Sequence, residues 1–209
     1  MAKEAGNKDS EGLAYMWLGV AHRGLDNIQK AIEFFHHGLS IAKETGNEDF
    51  EETAYLNLGA AYQSLRDSKN AIEFYEQGLS IATKTGHEDL KVITYGSIGN
   101  VYGSLGDFQN AIKLFQQGLD IANKTGNKDL EGKLYESLND AYCSLDDFQK
   151  AIEFFQQGLS IAKENGNKDS EGIAYERLGD GHLSLGNFEK GIEFFHLGRS
   201  VAKETGKID

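Results

Sequence analysis

Residues 54–78 read AYLNLGAAYQSLRDSKNAIEFYEQG, and this pattern returns along the chain of 209 residues at a fixed spacing of 40. Two residue types show the period without insertion or deletion: Gly6, Gly46, Gly86, Gly126, Gly166 and Gly206, and Tyr15, Tyr55, Tyr95, Tyr135 and Tyr175. A fixed period of about 20–50 residues is typical of arrays in which each unit buries its apolar face against its neighbours. The sequence therefore predicts an array of five such units.

Each unit contains two apolar stripes with helical spacing. In the first unit these stripes are Tyr15, Leu18, His22 and Leu25, then Ala31, Phe35, Leu39 and Ala42. Neither half alternates with a period of two, which excludes the four-stranded blade of a propeller. The pattern predicts helices from Ser10 to Gly24 and from Ile28 to Glu44, both repeated at intervals of 40 residues.

Glycine and polar residues mark the ends of these helices. Between the two halves of a unit, a glycine suits the end of one helix and an Asp or Asn suits the cap of the next. The capping positions are Asn27, Asp67, Asp107, Asp147 and Asn187. Between units, Gly126 suits a left-handed residue, Asp129 is predicted to cap the next helix, and Glu131 adds negative charge to its first turn.

The second unit resembles the tetratricopeptide repeat, whose signature is W-x2-L-G-x2-Y, then A-x3-F and P. The resemblance is carried by Tyr55, Leu58, Gly59 and Tyr62, then Ala71, Tyr75 and Gly78, and it recurs in all five units. It implies an all-α fold, a right-handed superhelical solenoid of about five tandem helix-turn-helix repeats. We expect one solenoid domain over residues 1–209, with repeats at about 8–47, 48–87, 88–127, 128–167 and 168–207.

The repeat departs from the usual pattern in two respects. Its period of 40 exceeds the usual length of about 34 residues, and a Gly-Asn-x-Asp turn replaces the terminal proline. This variant resembles the repeats of the Pins/LGN group of cell-polarity scaffolds. The closest strings are AYLNLGAAY at residues 54–62 and TYGSIGNVY at residues 94–102.

The charge balance excludes two classes of partner. The chain has 33 acidic and 21 basic side chains, a formal net charge of −12, which argues against nucleic-acid and anionic-membrane binding. No apolar run approaches the ~18 residues of a membrane span, and the first residues lack the apolar stretch of a signal peptide. The single cysteine, Cys143, excludes an internal disulfide and a cysteine-cluster metal site. We therefore expect a cytoplasmic protein.

The residue pattern predicts neither catalysis nor a metal or cofactor site. His22 and His182 align with Tyr62, so we interpret them as aromatic packing residues. No two histidines are four residues apart, and the strings HExxH, GxGxxG and GxxxxGK[ST] are missing. We expect a protein that is not an enzyme and that needs no cofactor.

The family resemblance implies that the first helix of each unit lines a concave groove for a peptide. The candidate groove residues are Met16, Trp17, Val20, Asn57, Asn100, Glu136, Asp140, Glu176, Arg177 and Asp180. This set grades from apolar to acidic, which favours a basic or amphipathic ligand. Met16 and Trp17 equally fit a surface that a further unit would cover.

These observations favour a non-enzymatic scaffold that binds a peptide segment of a partner protein. Two alternatives stay open. Near-identical units with exposed terminal repeats could associate end to end into a dimer or filament. A regulator that senses a short free peptide would use the same kind of helical array.

Overall fold

The computed structural model describes the backbone of residues 2–206 and the side chains of residues 8–206. Over this range the chain forms ten α-helices and no strand, which confirms the predicted all-α fold of helical hairpins. The helices are α1 Ala2–Gly24, α2 Ile28–Thr45, α3 Glu48–Ser64, α4 Ser68–Thr85, α5 Glu88–Ser104, α6 Phe108–Thr125, α7 Lys128–Ser144, α8 Phe148–Glu164, α9 Lys168–Ser184 and α10 Phe188–Glu204. The last residue of the predicted fifth repeat, Lys207, lies outside the described residues.

The helices form two compact units that divide between Leu105 and Gly106. In the first unit, each helix from α1 to α4 packs against the next helix along the chain, and α3 also contacts α1 and α5. In the second unit, α6 to α10 likewise pack against the next helix in sequence. The first unit therefore brings the first helices of three consecutive repeats, α1, α3 and α5, next to one another.

The turns between repeats confirm the predicted glycine chemistry and correct one helix cap. Gly126 has a φ angle of 73°, in the left-handed region that glycine enters without a Cβ clash. The predicted cap at Asp129 is wrong. Instead, Oδ1 of Asn127 accepts a hydrogen bond of 3.2 Å from the backbone N–H of Leu130, and Asp129 lies in the first turn. Asn127 directly follows the left-handed glycine, so it is the first side chain able to cap α7.

The aspartate caps between paired helices are confirmed. Asp67, Asp107 and Asp147 each accept a hydrogen bond from the backbone N–H three residues ahead, at 3.2, 3.2 and 3.3 Å. Asn27 and Asn187 occupy the same position at α2 and α10 without a side-chain capping bond. The sequence thus predicts the helix starts here, although it does not predict which cap is made.

Helix α1 begins at Ala2, earlier than the predicted start at Ser10. It continues through Gly6 and Asn7, whereas the aligned Gly46 and Asn47 form the turn between α2 and α3. That turn returns α3 onto α2. Helix propagation adds one hydrogen bond per residue, so the backbone stays helical there.

Glycines allow the two helices of a hairpin to approach closely. A Cβ atom at Gly19 would lie 2.4 Å from a ring carbon of Phe35, and one at Gly59 would lie 2.6 Å from the ring of Tyr75. Both rings are buried. Because a protein interior is close-packed, these distances leave no room for a larger residue without a shift of the ring.

Stacked rings join the first and second helices of four hairpins. Tyr62 stacks on Phe74 with 5.2 Å between ring centroids, and His182 stacks on Phe194 at 5.4 Å with nearly parallel planes. His22 on Phe34 and Tyr142 on Phe154 repeat the arrangement. Burial lowers the pKa of His182, which favours the neutral ring. The interpretation of His22 and His182 as aromatic packing residues is confirmed.

In the second repeat, a fully buried carboxylate is paired with an imidazole. Glu52 of α3 is 0% exposed, and its Oε2 lies 2.8 Å from Nδ1 of His87. Nε2 of the same imidazole lies 3.7 Å from Oδ1 of Asp49. His87 stands at the N-cap of α5, where the aligned residues of α3, α7 and α9 are the capping Asn47, Asn127 and Asn167. It makes no side-chain cap bond, because its ring contacts the buried carboxylate instead.

This pair should make the stability of the first unit depend on pH. The hydrogen bond with Glu52 raises the pKa of His87 above its ordinary value of about 6.5. A raised folded-state pKa contributes stability that is complete below the unfolded-state pKa and is lost as the pH rises through the folded-state pKa. Between about pH 6 and pH 9, we expect the parent protein to lose melting temperature relative to a Glu52→Val/His87→Asn variant, measured by circular dichroism. A constant difference would contradict the coupling.

Candidate functional site

We call the predicted groove residues other than Met16 the first-helix face. In the first unit it consists of Trp17, Val20, Asn57 and Asn100, and in the second unit of Glu136, Asp140, Glu176, Arg177 and Asp180. Trp17 is 66% exposed and Val20 is 36% exposed. The predicted exposure of Met16 is wrong, since only 5% of it is exposed. A Cβ atom added to Gly38 of α2 would lie only 2.8 Å from Sδ of Met16, so the Met16 side chain packs on α2.

Two asparagines continue this face along α3 and α5. Asn57 is half-buried, and its Nδ2 donates a 2.9 Å hydrogen bond to the backbone carbonyl of Thr53. Asn100 is exposed. Helix α3 contacts both α1 and α5, so the three helices that carry Trp17, Asn57 and Asn100 are neighbours.

The hydroxyl group of Tyr75 reaches the same face from α4. It donates a 2.8 Å hydrogen bond to Oε1 of Gln63 on α3. Burial raises the pKa of Tyr75. The hydrogen bond joins α4 to α3, the first helix of the same repeat. Sequence analysis missed this role, although Tyr75 replaces the aligned Phe35.

The first-helix face of the second unit is charged. All five predicted residues are exposed. Nη1 of Arg177 on α9 lies 3.9 Å from Oδ1 of Asp140 on α7, which links the first helices of neighbouring repeats. Burial, and after it the charge of Asp140, raises the pKa of Glu136. Closely spaced carboxylates repel each other, so a cationic group from a ligand would stabilise the charged forms.

The described residues hold no candidate metal site and no candidate membrane span. No group of three or more His, Cys, Asp or Glu side chains among them could hold a metal ion. None of the described helices has both the length and the apolar character needed to cross a bilayer. Cys143 is half-buried, and burial raises the pKa of its thiol.

Sequence analysis missed a pocket of about 380 Å³ in the second unit, between α7, α8 and α9. Its apolar lining consists of Gly132, Phe155, Gly158, Ile161, Ala162, Ile173 and Ala174, and its polar lining of Lys128, Asp129, Lys133, Glu136, Asn165, Asn167 and Ser170. One signal was present in the sequence. Ser170 is small, as is the aligned Ser10, whereas the aligned residues Phe50, Leu90 and Leu130 are large and apolar.

Comparison with known families identifies the repeat. Residues 10–84 and 90–164 each match the family model of the tetratricopeptide repeat. The chain belongs to the tetratricopeptide repeat family. This repeat generally serves as a non-catalytic scaffold for protein interactions, as the sequence predicted. No curated protein matches the chain significantly, so the finer resemblance to polarity scaffolds stays a prediction.

Solved structures share the tetratricopeptide repeat architecture at low sequence identity. BtubC (BKLC) from P. vanneervenii is 17% identical with a TM-score of 0.84, over 99% of this chain and 91% of that chain. The signal transduction ATPase with a tetratricopeptide repeat sensor from Pyrococcus horikoshii is 21% identical with a TM-score of 0.85, over 95% of this chain and 31% of that chain. A Rap protein complexed with competence and sporulation factor is 18% identical with a TM-score of 0.72, over 91% and 53%. These likenesses show the fold.

Proposed function

We propose that the protein is a cytoplasmic, non-enzymatic scaffold that binds a basic or amphipathic peptide segment of a partner along its first-helix face. The observation that carries the proposal is the exposure of Trp17 and Val20 beside the two asparagines in the first unit. A large exposed aromatic side chain is the type of residue that dominates binding energy at protein interfaces.

Charge supports the choice of ligand. On the exposed side of α7 and α9 in the second unit, four carboxylates outnumber two cationic side chains. The carboxylates are Glu136, Asp140, Glu176 and Asp180, and the cations are Lys133 and Arg177. The whole chain adds a net charge of −12, which slows the approach of acidic ligands and favours basic ones. Binding should therefore weaken as the salt concentration rises from ~0.05 to ~0.5 M, because the Debye length shrinks.

The test begins with partners captured from a lysate and identified by mass spectrometry. Peptides of the captured partner are then titrated against the parent protein and a Trp17→Ala/Asn57→Ala/Asn100→Ala variant. We expect the variant to bind at least ~10-fold more weakly, because it loses the exposed aromatic group and two amides. Unchanged affinity would move the binding site off the first-helix face.

A variant with fewer carboxylates distinguishes long-range electrostatic attraction of the ligand from direct contact with it. Replacing Glu136 and Asp140 by Gln and Asn removes negative charge at exposed positions. We expect the association rate to fall more than the dissociation rate rises, as is usual for charges outside the buried part of an interface. An acidic ligand, or salt-independent binding, would contradict the charge argument.

Self-association is a second candidate function, favoured by exposed apolar side chains on α1 and α10. On α10, Phe188 is 64% exposed and Ile192 is 55% exposed, whereas the aligned Ile152 is buried. On α1, Trp17 is exposed together with Leu13. Sedimentation over a range of protein concentrations tests this function. A dimer that Trp17→Asp or Ile192→Asp abolishes would support it, and a monomer at high concentration would exclude it.

Sensing of a short free peptide is a special case of the first proposal. The Rap protein complexed with competence and sporulation factor supports it only by likeness of fold. Titration of the intact partner beside its free peptide distinguishes the two cases, because a sensor binds a free peptide more tightly than the same sequence inside a folded partner.

A further inference from the structure

The pocket of the second unit lies in a notch that two repeats of the first unit fill with their own side chains. The notch is bounded by the first helix of one repeat, the end of its second helix and the start of the next first helix. In the second unit it is bounded by Gly132, Ile161 and Ser170. In the first unit, the aligned residues between α1, α2 and α3 are Gly12, Ile41 and Phe50.

The phenyl ring of Phe50 shows what this notch accommodates. A Cβ atom at Gly12 would lie 2.6 Å from Cε1 of Phe50 and 3.0 Å from Cγ2 of Ile41. The ring therefore occupies the space beside the glycine and against the isoleucine. Phe50 also packs on the buried core of the first unit.

The next notch of the first unit is filled in another way. There Glu52 replaces the glycine, and its buried carboxylate is paired with His87. The second unit has neither the phenyl ring nor the carboxylate and imidazole. There Gly132 aligns with Glu52, Asn167 aligns with His87, and Ser170 aligns with Phe50. A Cβ atom at Gly132 would meet only Cγ2 of Ile161, at an ordinary 3.7 Å. Two small residues thus leave the notch open.

We propose that this open notch binds a phenylalanine side chain of a peptide ligand, in the place that Phe50 occupies in the first unit. The pocket volume of about 380 Å³ accommodates a benzyl group and part of a peptide backbone. Lys133 and Glu136 lie on the pocket rim, where an ammonium group and a carboxylate are able to bond to the carbonyl and N–H groups of that backbone. The inference rests on the proposed peptide-binding function and names its anchor residue.

The probe for this pocket is N-acetyl-phenylalanine amide, with N-acetyl-alanine amide as the matched control. We expect the phenylalanine probe to shift the amide NMR signals of Gly132 and Gly158 and to saturate at a millimolar concentration, on the order expected for one buried aromatic side chain. The alanine probe should bind at least ~10-fold more weakly, because it lacks the ring. Equal shifts with both probes, or none with either, would overturn the proposal.

A Ser170→Phe variant supplies the missing ring from within the chain, and Ser80→Phe adds the same ring at an exposed position of α4. We expect Ser170→Phe to raise the melting temperature and to abolish probe binding, while Ser80→Phe changes neither. If Ser170→Phe fails to fold, Ser170→Leu, which copies Leu90 and Leu130, gives the same test. Unchanged probe binding in a folded Ser170 variant would overturn the proposal.

The pocket proposal and the proposal that a peptide binds to the first-helix face can be tested independently. The residues Trp17, Asn57 and Asn100 all belong to the first unit, so their triple alanine variant should leave binding of the small probe unchanged. If Ser170→Phe loses partner binding and the triple variant keeps it, the result supports the pocket as the binding site. The same result rejects the first-helix face of the first unit as that site. The reverse result would reject the pocket as the anchor site.

Discussion

A His87→Asn variant is expected to melt on the order of 10 °C below the parent protein. The substitution removes the imidazole that lies 2.8 Å from the carboxylate of Glu52, which is fully buried. A buried carboxylate without a partner is strongly destabilising, because it has lost its hydration without gaining a charge-assisted hydrogen bond. Oε1 of Glu52 already has no hydrogen-bond partner among the described residues, so no second donor there compensates for the loss. Circular dichroism melts at about pH 6 measure the difference where the pair is strongest.

The matched control is the double variant Glu52→Val/His87→Asn. It copies the residues that other repeats carry at these positions, namely Val92 and the capping Asn127. The new Asn can cap α5, which is worth about 1 kcal/mol, and an apolar side chain replaces the buried charge. We expect this variant to melt at or above the parent temperature. If the single variant melts with the parent, or if the double variant is no better than the single one, the pair does not stabilise the protein.

The fold could be predicted from the sequence because five copies of the repeat carry the same signal. Apolar spacing alone tells helix from strand, and the alignment of glycines fixes where the helices end. The error at α7 arose because Asn127 and Asp129 are both good capping residues. Which of the two residues caps α7 depends on the backbone conformation after Gly126, and the residue types alone do not determine that conformation. The early start of α1 has a similar cause, because tertiary contacts decide whether the chain forms a turn at Gly6 or continues as a helix.

The candidate site was predictable in part. A helical stripe places Trp17 and Val20 on one face, and their exposure follows. Met16 lies next to Trp17 in sequence. Whether its side chain is buried depends on how α1 is rotated about its own axis relative to Gly38 of α2. The pocket at Ser170 could not be predicted from the residues that the repeats share, because it arises where serine stands in place of the large apolar residues Phe50, Leu90 and Leu130. Differences between copies therefore indicate specific sites, whereas common residues indicate the scaffold.

Gly59→Ala is expected to lower the free energy of unfolding by about 1–3 kcal/mol, the usual cost of overpacking a core. The added methyl group would lie 2.6 Å from the buried ring of Tyr75, which is held in place by its hydrogen bond to Gln63. Gly103→Ala in α5 is the control, because a Cβ atom there meets nothing within 4 Å. That variant should gain up to ~1 kcal/mol from helix propensity. Urea denaturation measures both. Equal stability of the two variants would mean that the Tyr75 ring moves freely, and the Tyr75–Gln63 hydrogen bond would then be absent from the structure of Gly59→Ala.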